Sequence, residues 1–135
     1  MKGRVDHIGV VVDDLTAARG FLEKVLGLEL TAERSLPTIQ VETAYLGFGP
    51  GPQIELVELG DAETRKRRLG DGSQARIEHI AIEVDDVEAT RDELSRHGIE
   101  MQSETPLVNG PTRSFFTRPE TSRGFAFQFL DRRAE

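Results

Sequence analysis

Two stretches of the chain match each other. The first reads Arg4-Val-Asp-His-Ile-Gly-Val-Val-Val-Asp-Asp-Leu-Thr-Ala-Ala-Arg19, and the second, 72 residues later, reads Arg76-Ile-Glu-His-Ile-Ala-Ile-Glu-Val-Asp-Asp-Val-Glu-Ala-Thr-Arg91. Eight of the sixteen aligned positions are identical, including His7 with His79 and both residues of the Asp-Asp pair. Such a repeat indicates two copies of one supersecondary unit. We therefore predict one domain over residues 1–135, with a first module at 1–70 and a second at 71–135.

Each copy shows the same order of secondary-structure signals. A β-rich run, at 5–12 or 77–84, ends at Asp-Asp, and the second aspartate can cap the amphipathic helix that follows. Each helix stops at a glycine, Gly27 or Gly98, because glycine adopts the left-handed backbone conformation cheaply. A short helix is predicted at 62–69 in the connection. Further strands are predicted at 28–34, 38–48, 53–59, 99–104, 112–118 and 124–130.

These signals describe two β-α-β-β-β modules in tandem. Strands and helices in this proportion predict an α+β fold. Eight strands in two such units can form a curved, partly closed sheet around one cavity, which neither module could enclose alone.

The composition excludes several classes of protein. The chain has 17 Lys and Arg residues against 24 Asp and Glu, and its net charge of −7 argues against nucleic-acid binding. It has no cysteine, so disulfides, thiolate nucleophiles and Cys-ligated metals are ruled out. No stretch is apolar enough to span a membrane, and the N-terminus lacks the apolar core of a secretory signal. We expect a cytoplasmic protein whose partner is a small-molecule substrate.

Polar residues on a buried strand face are the most informative part of the pattern. Because side chains alternate along a strand, the apolar residues of each first strand would pack under the helix, leaving His7 and His79 to face the cavity. Glu55, in the last strand of the first module, matches Gln128, 73 residues later. Such nitrogen and oxygen ligands suit Fe, Mn, Co, Ni or Zn. We predict a divalent metal site; the alternatives are a repeat inherited without function and a cavity that no longer holds metal.

The same residues resemble the vicinal oxygen chelate superfamily, which contains glyoxalase I, methylmalonyl-CoA epimerase, extradiol dioxygenases and the fosfomycin- and bleomycin-resistance proteins. Within it, they resemble the methylmalonyl-CoA epimerases most. The resemblance covers nearly the whole chain. It rests on Val5-Asp-His-Ile-Gly-Val-Val-Val12, Leu26-Gly-Leu28, Gln53-Ile-Glu-Leu-Val-Glu58 and Ile77-Glu-His-Ile-Ala-Ile-Glu-Val-Asp-Asp86, and on a final hairpin, 116–125, similar to the epimerase turn His-Pro-Lys-Ser-Thr-Gly-Gly.

The resemblance implies that His7, Glu55, His79 and Gln128 hold the metal. It also implies that a carboxylate beside the metal moves a proton next to a metal-polarised carbonyl. The chain departs from the family pattern at Gln128, where a Glu is usual. It departs again at Thr43, where related epimerases place a Glu; Glu42, one residue earlier, would reach the cavity only through a β-bulge. Glu55 and Glu42 are therefore the candidate proton carriers.

Several functions follow from the resemblance. The first is a metal-dependent isomerase or lyase, epimerase-like on an acyl-CoA of the methylmalonyl-CoA class or glyoxalase I-like. A CoA thioester would need anion-binding groups, for which Arg113, Arg118, Arg123 and the basic cluster Arg65-Lys-Arg-Arg68 are candidates. The alternatives are an extradiol-type dioxygenase, a natural-product tailoring enzyme, and a non-catalytic binding or resistance protein. The resemblance also implies a homodimer.

Overall fold

The computed structural model describes residues 1–133, so the last two residues of the second predicted module, 134 and 135, lie outside it. Over the described range, no helix is long and apolar enough to cross a membrane. The strands follow the order β2-β3-β4-β1-β5-β8-β7-β6, which confirms the α+β class and the eight strands. The elements are β1 (Gly3–Val12), α1 (Leu15–Lys24), β2 (Glu29–Leu36), β3 (Val41–Gly47), β4 (Gln53–Leu59), α2 (Ala62–Leu69), β5 (Ala75–Val84), α3 (Val87–Ser95), β6 (Leu107–Asn109), β7 (Thr112–Phe116) and β8 (Phe127–Arg132).

Contacts divide the chain into two compact units. Among the described residues, the first unit joins Met1–Asp6 to residues 79–133, and the second unit is His7–Glu78. The division falls inside β1 and inside β5, so each of these strands contributes residues to both units.

In the second unit, β4 pairs in parallel with β1 and antiparallel with β3. One face of these strands packs against α1, as the alternation of apolar residues predicts. The buried side chains there are Val12, Leu28, Ala44, Leu46 and Leu56, with Val10 and Ile54 packed against them. The other face carries a separate apolar cluster of Val11, Val57, Leu59 and Leu69. Leu69 comes from α2, which confirms the short helix predicted at 62–69.

The first unit repeats this plan with β5, α3, β7 and β8. β8 pairs in parallel with β5 and antiparallel with β7, around a core of Val84, Val87, Phe115 and Phe129. The prediction of a strand at 99–104 is wrong: in the described residues this segment makes one isolated bridge, between Met101 and Thr117. The eighth strand is instead β6, which the sequence pattern does not predict. β8 begins at Phe127 rather than at residue 124, because the preceding residues form a turn in which the Ser122 hydroxyl donates to the Phe125 carbonyl.

Both predicted helix starts are confirmed, whereas the helices end at Lys24 and Ser95, three residues before the predicted stops at Gly27 and Gly98. The side chain of Asp14 accepts the N–H of Ala17, and that of Asp86 accepts the N–H groups of Glu88 and Ala89. These bonds satisfy backbone donors that the first helical turn leaves without a partner. Beyond the helices, Gly27 and Gly98 have φ angles of 80° and 81°, in the left-handed region that glycine adopts without steric cost.

Candidate metal centre

His7 and Glu55 lie side by side on one face of the second unit. In the parallel register of β1 and β4, Gly9 stands beside Glu55, and His7 is two residues from Gly9 on the same face. Nε2 of His7 is 3.4 Å from Oε1 of Glu55. The side chains are 4% and 12% exposed, so the imidazole and the carboxylate meet in a largely dehydrated place.

This spacing is longer than a good hydrogen bond and suits two ligands of one metal ion. An N–H···O hydrogen bond usually spans about 2.7 to 3.2 Å between heavy atoms. Two ligand atoms that each lie about 2.1 Å from one metal are about 3.0 Å apart at a right angle and about 3.4 Å apart at a tetrahedral angle. The imidazole nitrogen and carboxylate oxygen therefore fit a divalent transition metal both in chemistry and in separation.

Tyr45 is a residue at this site that the sequence reasoning missed. It pairs directly with Glu55 across β3 and β4, and its hydroxyl donates a 2.7 Å hydrogen bond to Oε2 of Glu55. Its ring also stands edge-on to His7, with 5.4 Å between ring centroids. The signal was present in the sequence, because Tyr45 is the only tyrosine in the chain and lies two residues after Thr43 on the same strand face.

Thr43, where related epimerases place a Glu, and the neighbouring Glu42 lie on opposite faces of β3. Thr43 is 7% exposed, and its hydroxyl has no hydrogen-bond partner within the described residues. It shares the face of Tyr45 and Glu55. Glu42 is exposed on the opposite face and accepts a 2.7 Å hydrogen bond from the Ser35 hydroxyl. The β3–β4 register runs without the bulge that would turn Glu42 toward Glu55.

In the first unit, His79 and Gln128 occupy the matching positions. Gln128 stands beside Ala81 in the parallel register of β5 and β8, as Glu55 stands beside Gly9. His79 is 7% exposed, and its ring meets Phe116 edge-on at 5.5 Å between centroids. Phe116 pairs directly with Gln128 across β7 and β8. The second repeat therefore has a histidine, an aromatic ring and an amide where the first has a histidine, a tyrosine and a carboxylate.

A sequence model of the Glyoxalase/Bleomycin resistance protein/Dioxygenase superfamily matches residues 6–116. The chain belongs to this superfamily. The matched range includes His7, Tyr45, Glu55 and His79, and Gln128 lies beyond it.

Relatives of the chain within the superfamily include named enzymes. An ethylmalonyl-CoA/methylmalonyl-CoA epimerase of Cereibacter sphaeroides is 33% identical over 99 residues, 73% of each protein. A lactoylglutathione lyase of Neisseria meningitidis is 26% identical over 133 residues, 97% of this chain and 92% of the relative. The crystal structure of methylmalonyl-CoA epimerase from Mycobacterium tuberculosis superposes with a TM-score of 0.84 over 97% of this chain and 89% of that one, at 24% identity, which shows a shared fold.

Of the arginines that are candidates to bind an anionic substrate, Arg113 is already paired within the protein. Arg113 of β7 pairs with Asp131 at 3.0 Å and with Glu88 at 2.5 Å. Hydrogen bonds from its guanidinium to these two carboxylates raise the pKa of Arg113. The expectation for Arg113 is wrong, since its charge stabilises the packing of α3 on β8. Arg118 and Arg123 are exposed, whereas Arg65 donates to the Leu59 carbonyl and Arg68 pairs with Glu78.

Proposed function

We propose that this protein is a metal-dependent isomerase or lyase of the vicinal oxygen chelate type, in which His7, Glu55, His79 and Gln128 hold one divalent metal ion. The observation that carries the proposal is the 3.4 Å spacing of the His7 nitrogen and the Glu55 oxygen at a dehydrated position. His79 and Gln128 join the set on the strength of the repeat, because they stand in the matching registers of the other unit. Their donor atoms are of the kind that bind Co, Mn, Ni, Zn or Fe.

A metal ion bound here would supply Lewis-acid polarisation of a substrate carbonyl. The chain supplies the proton transfer. Glu55 takes the proton from the carbon beside that carbonyl, the C–H electron pair moves into the carbonyl to give an enolate, and Glu55 returns the proton to carbon.

For the substrate, we propose an acyl-CoA of the methylmalonyl-CoA class, supported by the 33% identity with the epimerase of Cereibacter sphaeroides. Epimerisation returns the proton on the opposite face, which requires a second acid/base group. Glu42 can serve only if β3 shifts its register by one residue, since Glu42 and Glu55 are on opposite faces.

A second candidate is a glyoxalase I-like lyase, which moves a proton between neighbouring carbons. The matched positions contain one carboxylate, Glu55, and one amide, Gln128. A single carboxylate suffices for a transfer on one face. The lactoylglutathione lyase of Neisseria meningitidis, which aligns with 97% of the chain, supports this candidate.

One set of assays separates these possibilities. Protein purified without chelator is analysed for bound metal, then loaded with Co²⁺ or Mn²⁺ and incubated in D₂O with methylmalonyl-CoA or with the hemithioacetal of methylglyoxal and glutathione. We expect bound metal and deuterium at the α-carbon of methylmalonyl-CoA. Turnover of the hemithioacetal without exchange at methylmalonyl-CoA would support the glyoxalase I-like lyase and exclude the epimerase. Protein that neither binds metal nor turns over either compound would refute the proposal.

We also infer that the protein works as a homodimer on its small-molecule substrate. Three apolar side chains in and after α1, Phe21, Val25 and Leu26, are at least half exposed. Contiguous exposed apolar surface commonly marks an association site. Light scattering coupled to gel filtration should give a mass twice that of the chain; the monomer mass at all concentrations would contradict the inference.

A further inference from the structure

We propose that Tyr45 is a positioning residue that fixes Glu55 as a single-oxygen metal ligand, an inference that rests on the metal-binding function proposed above. The two oxygens of the Glu55 carboxylate have different neighbours. Oε1 lies 3.4 Å from Nε2 of His7, and Oε2 accepts the Tyr45 hydroxyl at 2.7 Å. The tyrosine thus holds one oxygen and leaves the other directed at the imidazole.

The strands make this arrangement rigid. Tyr45 and Glu55 are paired directly across the antiparallel β3–β4 ladder, so their Cβ atoms lie on the same face at the closest cross-strand distance. The Tyr45 ring meets the His7 ring edge-on, with planes at 88° to each other. One side chain therefore contacts both proposed ligands of the second unit, packing against the imidazole and hydrogen bonding to the carboxylate.

The matched position in the other repeat shows that packing alone does not require the hydroxyl. Phe116 pairs with Gln128 as Tyr45 pairs with Glu55, and it meets His79 edge-on at nearly the same centroid distance. The ring is kept in both repeats, while the hydroxyl accompanies only the carboxylate. A carboxylate oxygen is a stronger acceptor than an amide oxygen, and it is the group that could otherwise swing to bind a metal through both oxygens.

The consequence concerns the number of coordination positions. Two histidines, Gln128 and a single oxygen of Glu55 would occupy four positions of a metal that takes six. Two positions would then remain for the two adjacent oxygens of a substrate. If Glu55 bound through both oxygens, one of those positions would be lost.

The test compares the wild-type protein with Tyr45→Phe, which keeps the ring and removes the hydroxyl. Ser35→Ala is the matched control, because the Ser35 hydroxyl donates an equally short 2.7 Å bond to Glu42 in the same unit on the opposite sheet face. Metal affinity is measured by competition with a chelator, and the coordination of Co²⁺ by visible absorption. We expect Tyr45→Phe to weaken Co²⁺ binding about tenfold to a hundredfold and to change the Co²⁺ spectrum. Ser35→Ala should match wild type in both measurements.

A second measurement needs no variant. The chain has one tyrosine and no tryptophan, so its tyrosine emission comes from Tyr45 alone. We expect this emission to change during a Zn²⁺ titration with the midpoint found by chelator competition. Two outcomes would refute the role of Tyr45 and leave the proposed metal site standing. In the first, wild-type protein binds metal but its tyrosine emission stays constant; in the second, Tyr45→Phe binds Co²⁺ with the affinity and spectrum of wild type. Wild-type protein that binds no metal would overturn both the metal site and the role of Tyr45.

Discussion

Glu58 in β4 and Asp131 in β8 accept the same hydrogen bond in the two repeats. The N–H of Leu15, the first residue of α1, donates to Glu58 at 2.9 Å, and the N–H of Val87, the first residue of α3, donates to Asp131 at 2.9 Å. Each carboxylate thus attaches the start of a helix to the last strand of its repeat. The two differ in their further partners, since Asp131 is buried and is also bound by the guanidinium of Arg113.

The first prediction is that Asp131→Asn destabilises the protein far more than Glu58→Gln. Asp131→Asn replaces a buried carboxylate that accepts from both Arg113 and the Val87 N–H, so the loss of these charge-assisted bonds should cost about 2 kcal/mol, although Arg113 keeps Glu88 as a partner. Glu58→Gln keeps an oxygen that can accept the Leu15 N–H, so it should cost less than about 1 kcal/mol. Urea denaturation at pH 7 measures both free energies of unfolding, and equal losses would contradict the ion-pair argument.

The second prediction concerns stability at low pH. Burial raises the pKa of Asp131, but hydrogen bonds from Arg113 and from the Val87 N–H outweigh it, so that the pKa lies below its ordinary value. A carboxyl with a depressed folded-state pKa stabilises the protein above its unfolded pKa of about 3.9, and the stabilisation is lost as the pH falls through the folded pKa. Wild type should therefore lose stability below about pH 4 more steeply than Asp131→Asn. Parallel pH profiles from thermal unfolding would argue against this assignment.

The third prediction is that Glu55→Gln lowers metal affinity and abolishes turnover. The amide can still offer one oxygen to a metal but cannot carry a proton, so we expect kcat to fall by at least about a hundredfold. Glu42→Gln, which removes the same charge from the opposite face of the sheet, should leave metal affinity unchanged. Steady-state kinetics and metal titration measure these effects. Full activity in Glu55→Gln would remove Glu55 from the mechanism.

The fourth prediction is that Gln128→Glu strengthens metal binding. The substitution restores a carboxylate to the repeat that lacks one and adds a negative charge to the proposed ligand set, so affinity should rise roughly tenfold. Chelator competition measures the change. An affinity equal to or below that of wild type would mean that position 128 does not bind the metal.

The fifth prediction concerns the turn between η1 (Pro119–Thr121) and β8. Arg123 has a φ of 62°, in the left-handed region that costs a side chain with a Cβ about 1 kcal/mol or more. Glycine avoids this cost at the expense of a larger unfolded-state entropy, so Arg123→Gly should raise the free energy of unfolding by roughly 0.5 kcal/mol. A lower melting temperature in the variant would show that the Arg123 side chain contributes more than the strain it imposes.

The features of the fold that the sequence predicts correctly are those whose signals are local or repeated. The Asp14 and Asp86 caps, the glycines after the helices and the apolar stripe under α1 follow from residue type and spacing alone. The strand at 99–104 failed because its polar residues pair irregularly, with the Gln102 N–H donating to the Phe116 carbonyl outside a regular ladder.

The site was partly predictable for the same reason. The repeat singled out His7, His79, Glu55 and Gln128, and the register then placed Glu55 and Gln128 in matching positions. Tyr45 was missed because its role depends on direct pairing with Glu55, which is fixed by the turn that joins β3 to β4. A hydroxyl on a strand is a weak signal until the residue opposite it is known.

The division of the chain into units has a consequence for dissecting it. Met1–Asp6 belongs to the unit formed by the later part of the chain, although by sequence it opens the first repeat. The segment is bound to that unit by its side chains, since Arg4 donates to Glu83 and Arg132 donates to Asp6. The boundary between the sequence repeats is therefore not the boundary between the compact units, and a cut at residue 70 would separate the second repeat from a segment of its own unit.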